Sequence, residues 1–170
     1  MALHNDLLEQ AYHLALREPR RPRQASLRRA VSSAYYALYH LLVHDGTRVL
    51  APPNPGKLRL QVRRAFAHSD MKAVCQQFAL GDHTKLKSGT QNLVDTPIEA
   101  QLASVAEAFV TLQEQRHRAD YDVSRPLSRF DVLQKVDLVQ QAFADWNAVR
   151  GTPNAKVFLA ALLLQRHWNR

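Results

Sequence analysis

The chain has 170 residues, 46% of them hydrophobic and 22% charged, a composition typical of one folded domain and not of a disordered segment. Its 23 Lys and Arg against 15 Asp and Glu give a formal charge of +8, which favours a polyanion such as RNA or, alternatively, an acidic partner protein. The single cysteine, Cys75, excludes an intramolecular disulfide and a cysteine-based zinc cluster, and the lack of a long apolar run or apolar leader predicts a cytoplasmic protein that spans no membrane.

The first predicted element is an amphipathic helix over residues 3–17, where leucine and alanine recur at helical spacing. Pro19 and Pro22 end this helix. The linker that follows is strongly basic and contains Arg17, Arg20, Arg21 and Arg23. Two interpretations of this linker stay open, a contact surface for phosphates and a solvent-exposed turn.

The second predicted helix, residues 26–44, contains no Gly or Pro and spans about five turns. Its apolar positions form a surface that other helices can cover. Four polar side chains recur at steps of four, three and four, which places them along one face: Arg29, Ser33, Tyr36 and His40. We expect Asp45-Gly46 to end this helix, and residues 51–56 to form a loop that no helix crosses.

Helical spacing resumes at Lys57 and gives a helix with a basic face, which Ser69 or Asp70 is expected to cap for a short continuation through residues 71–78. Cys75 lies at helical spacing with apolar neighbours, so we predict a buried side chain and not a nucleophile. Residues 81–95 lack sustained periodicity, which predicts a long surface loop.

Three more helices are predicted from their start signals. Thr96-Pro97-Ile98-Glu99 has the form of a capping box for a helix that runs to Asp120. Ser128 begins the next helix, and Thr152-Pro153 begins the last, whose apolar residues favour either a dimer seam or a fully packed core helix. Strand signals are almost absent, so we predict a single all-α domain over residues 1–170.

Two segments carry a family resemblance: RRAVSSAYYALYH at residues 28–40 and LQEQRHRADYD at residues 112–122. Together they resemble the paired signatures of the HEPN superfamily, in particular its small stand-alone bacterial and archaeal members. The resemblance implies an all-helical up-and-down bundle that is usually dimeric. We predict about five to six helices, a homodimer and no cofactor. Its relatives include metal-independent endoribonucleases and partners of nucleotidyltransferases in toxin–antitoxin pairs.

In the ribonuclease members, the resemblance implies an Arg that holds the scissile phosphate, followed after four to six residues by a His that helps to deprotonate the ribose 2′-hydroxyl. Arg116 occupies the arginine position, but no His follows at that spacing. The chain instead has the form RxxxDY. The candidate catalytic residues are therefore Arg116, Asp120, Tyr121 and His40, with an ordinary helical ion pair between Arg116 and Asp120 as the alternative.

The candidate nucleic-acid-binding residues are Arg29, Ser33, Tyr36, Arg63, Arg64, His68 and Lys72. Arg63 and His68 form a literal Arg-x4-His match outside the signature helix, where a chance match is common in so basic a chain. The stripe on the second helix has a structural alternative as well, a buried polar network that links two helices.

No metal-binding spacing, Gly-rich phosphate loop or nucleophile elbow occurs, so we predict no metal site. Two functions from different classes remain. The first is an RNA- or nucleotide-binding protein, with metal-independent endoribonuclease activity of the toxin type that leaves a 2′,3′-cyclic phosphate. The second is a non-catalytic interaction module that partners a nucleotidyltransferase-type antitoxin.

Overall fold

The computed structural model describes residues 2–51 and 56–168, and within these ranges the chain is helical and has no strand. The all-α prediction is confirmed. The described ranges contain eight α-helices and one 3₁₀-helix, more than the predicted five to six: α1 (Leu3–Leu16), α2 (Gln24–Leu50), α3 (Gly56–Ala65), α4 (His68–Phe78), the 3₁₀-helix (His83–Lys85), α5 (Ser88–Gln91), α6 (Ala100–Tyr121), α7 (Arg129–Val149) and α8 (Pro153–Trp168). Most of the predicted loop at residues 51–56 lies outside the described residues.

The helices form two compact units, and each unit is built from two separate stretches of chain. Unit 1 comprises Met1–His40 and Ala108–Phe143, and unit 2 comprises Leu41–Glu107 and Ala144–Arg170. Helices α2, α6 and α7 therefore each contribute residues to both units. This division into units does not test the prediction that residues 1–170 form a single domain.

The core of unit 1 is built around the apolar face of α2. Leu27, Val31 and Leu38 are completely buried there, as the helical pattern predicts. Tyr35, equally buried, lies with its ring 5.6 Å from the ring of Phe109 on α6. Burying such side chains stabilises the fold by roughly 1.5–3 kcal/mol each, so this face fixes α2 and leaves the polar stripe on its other side.

The core of unit 2 lies between α4 and α8, which pack against each other. The ring of Phe78 meets that of Phe158 edge-on at 5.0 Å, and Trp146 of α7 lies beside Phe158. Cys75 is completely buried in this core, which confirms the prediction of a buried side chain. Its burial raises the pKa of the thiol well above the ordinary value. Leu162, one turn after Phe158, is completely buried too, so the face of α8 that carries both residues belongs to the core.

The predicted end of the second helix at Asp45-Gly46 is wrong, since α2 continues to Leu50. Gly46 serves packing instead of termination: a Cβ atom there would lie 2.7 Å from Cζ of Phe66. Asp45 is buried and accepts a hydrogen bond from the Trp146 indole at 2.8 Å. Both residues therefore have tertiary partners that a local turn signal does not reveal.

Two other predicted starts are also wrong. Helix α4 begins at His68 with Ala67 at the N-cap, so neither Ser69 nor Asp70 caps it. Helix α6 begins at Ala100, after the predicted start at Thr96-Pro97, and Glu99 accepts a hydrogen bond from the Asn154 amide at 3.0 Å. The Glu99 carboxylate thus contacts α8 and does not close the predicted capping box with Thr96.

Residues 81–95 are not the surface loop that their lack of periodicity predicts. They contain the 3₁₀-helix and α5, and Leu86, Thr90 and Val94 are buried. Elements of three and four residues are too short to show a helical period, which explains the error.

The later start signals are confirmed. Ser128 Oγ accepts a hydrogen bond from the Asp131 N–H at 3.0 Å, and α7 begins at the next residue, Arg129. Thr152 Oγ1 accepts from the Ala155 N–H at 3.2 Å, one residue before α8 begins. Within the described ranges, no helix combines the length and hydrophobicity that crossing a membrane requires.

Candidate functional site

The centre of the candidate site is Arg116, near the C-terminal end of α6 in unit 1. Its Nε atom lies 2.7 Å from Oδ2 of Asp120, and its Nη2 donates a hydrogen bond to Oη of Tyr36 at 3.2 Å. The guanidinium carbon also stands 5.5 Å from the centroid of the Tyr36 ring, within cation–π range. The structure therefore brings together Tyr36, Arg116 and Asp120, which the sequence analysis selected as candidate site residues from two distant segments.

The ion pair between Arg116 and Asp120 is only partly covered. The two side chains keep 25% and 24% of their accessible surface, so neither is sealed in the core. At such a site the ionic contact is modest in strength, and it mainly fixes the orientation of the guanidinium.

Ser32, and not the predicted Ser33, provides the link from α2 to Asp120. Its hydroxyl donates to Oδ1 of Asp120 at 2.8 Å. Ser33 turns toward α1 and donates to Oε1 of Gln10 at 3.1 Å. Helical spacing could not choose between the two serines, because Ser32 and Ser33 lie four and three residues before Tyr36 and both share its helical face.

A cavity of about 430 Å³ opens beside this cluster, which we name the α1–α2 cavity. Two leucines of α1 form its apolar wall, and its polar lining consists of Gln10, Arg29, Ser32, Ser33 and Tyr36. Arg29 is exposed, and no carboxylate in the described part of the chain pairs with it. The cavity thus has the size of a small-molecule site and combines one uncompensated cation with several hydroxyl groups.

The structure places His40 beside the polar stripe of α2 and leaves the Tyr121 side chain exposed at the end of α6. The His40 ring stands 5.1 Å from the Tyr39 ring and 6.3 Å from the Tyr36 ring, so the imidazole joins the aromatic end of the polar stripe. Desolvation raises the pKa of Tyr39, and the neighbouring Tyr36 raises it further. Tyr121 is 69% exposed and contacts the ring of His117 at 4.8 Å.

Arg28 has a role that sequence reasoning missed. Its Nη1 donates to the carbonyl oxygens of Ala119 and Asp122 at 2.7 and 2.8 Å, and its Nη2 donates to that of Arg125 at 2.8 Å. The last carbonyls of a helix lack partners within the helix, so Arg28 satisfies the C-terminal end of α6 and the turn after it. Nothing in its local sequence distinguishes it from the exposed Arg29.

The remaining predicted binding residues belong to unit 2. Arg63 and Arg64 lie at the end of α3, while His68 begins α4 and Lys72 follows one turn later. The Arg-x4-His match is therefore split between two helices, which removes the single-helix geometry of the family motif. Arg63 lines a separate cavity of about 490 Å³ together with Arg59 and His44.

The described residues contain no group of three His, Cys, Asp or Glu side chains arranged to hold a metal ion. Comparison with known proteins adds no relative: no family model, no curated protein and no solved structure matches this chain. The likeness to the HEPN superfamily therefore depends on the two signature segments alone and stays a prediction.

Proposed function

We propose that the protein is a HEPN-like module that binds RNA or a nucleotide in the α1–α2 cavity. The observation that carries the proposal is the lining of this cavity, where the uncompensated guanidinium of Arg29 shares one wall with hydroxyl groups of α2. A phosphate binds through charge-assisted hydrogen bonds, and the exposed guanidinium of Arg29 offers the positive charge and several N–H donors in one side chain. The formal charge of +8 supports a polyanionic ligand.

Each part of the cavity has a chemical task in this proposal. Arg29 contacts a phosphate. The Ser32 and Ser33 hydroxyls donate their protons to Asp120 and Gln10, so their oxygen atoms accept hydrogen bonds from ribose hydroxyl groups. The leucine side chains of α1 provide an apolar surface for a base. Arg116 is a positioning residue, because its hydrogen bond to Oη of Tyr36 holds the phenol at the cavity wall.

A second candidate function, metal-independent RNA cleavage, is favoured by one observation, the position of His40. Its ring lies beside that of Tyr36, which in turn contacts Arg116. In this reaction His40 accepts the proton of the ribose 2′-hydroxyl, whose oxygen attacks the adjacent phosphorus. The 5′-oxygen of the next nucleotide leaves and takes a proton from water, and the protonated His40 returns its proton to the solvent. The product ends are a 2′,3′-cyclic phosphate and a 5′-hydroxyl.

We rank binding above cleavage because Arg116 is already engaged by Asp120 and Tyr36. An arginine that stabilises a transition state must direct its donors at the phosphate. In Arg116, Nη2 instead donates to Tyr36, and Nε lies 2.7 Å from a carboxylate oxygen of Asp120.

Binding is tested by fluorescence anisotropy with a labelled unstructured RNA of 20 nucleotides, and by calorimetry with ATP and AMP. We expect Arg29→Ala to weaken both interactions by about tenfold or more, which corresponds to a charge-assisted hydrogen bond of at least ~1.4 kcal/mol. The matched control is Arg118→Ala, which removes an exposed arginine from α6 in the same unit and should change affinity less than twofold.

Equal losses from the two arginine variants would contradict a specific cavity and indicate diffuse charge attraction. Absence of binding to both RNA and nucleotides would favour the alternative, an interaction module for a nucleotidyltransferase-type partner. Cleavage is tested separately by incubating RNA with the protein in EDTA. Cyclic phosphate ends that disappear in both His40→Ala and Arg116→Ala support the second candidate function.

A further inference from the structure

The linker between α1 and α2 is the most densely charged segment of unit 1. Residues 17–23 contain four arginines, all exposed, and a single acid, Glu18. The four arginines are Arg17, Arg20, Arg21 and Arg23, and none of them lines the α1–α2 cavity. The sequence alone left this segment open between a phosphate-contacting surface and a simple turn.

The structure holds the backbone of this linker from two sides. The guanidinium of Arg129, at the start of α7, donates to the carbonyl oxygen of Pro19 at 3.0 Å and also to that of Glu18. The Glu18 carboxylate accepts from the Arg23 N–H at 3.3 Å and from the Ser26 hydroxyl at 2.9 Å. These contacts cross-link the linker to the beginning of α2 and to a helix more than 100 residues away in sequence.

Proline restricts the same backbone further. Pro19 and Pro22 each fix one φ angle, and Arg21 is confined to extended conformations because it precedes Pro22. The backbone of a segment held in this way loses little conformational entropy when a ligand binds, so the free-energy cost of ordering the linker on binding is small.

The charge on the linker is concentrated at its middle. Desolvation raises the pKa of Glu18, but hydrogen bonds from Ser26 and the Arg23 N–H, with the charges of Arg17 and Arg23, lower it to a net value below the ordinary one. Arg17 and Arg23 are therefore partly compensated by this carboxylate. Arg20 and Arg21 have no such acid among the described residues.

The linker also continues directly into the helix that lines the cavity. The carbonyl oxygen of Arg23 accepts a hydrogen bond from the Leu27 N–H at 3.1 Å, so α2 starts at the end of the linker. At 1.5 Å per residue, Arg29 follows Arg23 by about 9 Å along the helix axis. A strand of a few nucleotides can therefore reach from the cavity to the linker, whereas a mononucleotide occupies the cavity alone.

We propose that the Arg17–Arg23 linker is a preformed binding site for the phosphate backbone of RNA, and that it extends the α1–α2 cavity into a site for several nucleotides. This inference rests on the proposed function, since it assigns RNA as the ligand in place of a single nucleotide. Arg20 and Arg21 contact phosphates, and Arg129 is a positioning residue that keeps the linker in its binding conformation.

The test compares two ligands, the labelled 20-nucleotide RNA and AMP, at salt concentrations from 50 to 300 mM. We expect the double variant Arg20→Ala/Arg21→Ala to bind RNA roughly tenfold more weakly, as for the loss of two exposed charge contacts. The slope of log K against log salt should fall by about 1.4, because each phosphate contact on a single strand contributes about 0.7. AMP affinity should stay unchanged.

The matched control is Lys87→Ala/Lys156→Ala, which removes the same charge from exposed positions of unit 2. It should leave the RNA slope unchanged. Arg129→Ala tests the positioning role: it should weaken RNA binding while leaving AMP affinity unchanged, and circular dichroism confirms that the variant is folded.

The outcomes separate this proposal from the function on which it rests. An unchanged RNA affinity and slope in the linker variant, with AMP still bound in the cavity, overturns the linker site and leaves the proposed function standing. Weaker RNA binding by the linker variant, with no change in RNA binding by Arg29→Ala, supports the linker site and overturns the proposal that RNA binds in the cavity. Absence of RNA binding by the unaltered protein, or binding only of an acidic protein through these arginines, overturns the linker proposal.

Discussion

Replacing Arg28 by alanine should destabilise the protein far more than the same change at its neighbour Arg29. The Arg28 guanidinium supplies three hydrogen bonds to backbone carbonyls, one at the end of α6 and two in the turn after it, with lengths of 2.7 to 2.8 Å. Truncation leaves these carbonyls without their donor. Arg29 is exposed and makes no comparable bond in the described structure.

The expected loss follows from the number and exposure of these bonds. A hydrogen bond from a charged group contributes about 1.5–3 kcal/mol when it is buried. Two of the three bonds of Arg28 are part-buried and one is exposed, so water replaces the guanidinium in part. Taking about 1 kcal/mol for each bond, we expect Arg28→Ala to lower the free energy of unfolding by about 3 kcal/mol. Arg29→Ala should change it by less than about 0.5 kcal/mol.

Urea denaturation followed by circular dichroism at 222 nm measures both values. With an m value of about 2–3 kcal/mol/M, the midpoint for Arg28→Ala should fall by about 1 M while m stays constant. Arg28→Lys keeps the charge but loses the planar arrangement of donors, so it should recover only part of the loss. Equal stability of the two alanine variants would refute the capping role of Arg28.

Three further results are expected. Asp45→Ala should cost about 1–3 kcal/mol in urea denaturation because the buried indole N–H of Trp146 loses its acceptor, and an effect below 0.5 kcal/mol would contradict this. Cys75 should resist a water-soluble thiol reagent in the folded protein and react fully in 6 M guanidinium, since it is completely buried; rapid labelling of the folded protein would show the burial to be wrong. Tyr12 should titrate near pH 12 in absorbance at 295 nm, because its hydrogen bond to Asp137 raises its pKa from 10.0 to about 12. A raised pKa stabilises the fold below pH 10 and loses this effect between pH 10 and 12, a pH dependence that Tyr12→Phe should lack.

Helix starts were predictable where four consecutive residues determine them. Ser128 and Thr152 each cap a helix by bonding an N–H three residues later, so the chain segment contains both donor and acceptor. The end of α2 was not predictable in this way. Gly46 lies inside the helix and leaves room for Phe66, and no local sequence pattern indicates a packing partner twenty residues away.

The candidate site was predictable in its residue types and only partly in its contacts. The helical phase of α2 and α6 brought Tyr36 and Arg116 onto facing positions, and the structure joins them. The same phase allowed either Ser32 or Ser33 to reach Asp120, and the choice depends on where α1 packs. The role of Arg28 depends on carbonyls some 90 residues away, which sequence spacing cannot indicate.

The division of each unit into two stretches of chain sets the order in which the protein can form during synthesis. When a ribosome has completed Met1–His40, it must still add Leu41–Glu107 before the second stretch of unit 1 begins to appear. At about 5–20 residues per second, this delay is on the order of 3–13 seconds. Through that interval Tyr35 on the apolar face of α2 lacks Phe109 as its packing partner, so we expect newly made chains to expose this aromatic surface for several seconds before unit 1 is complete.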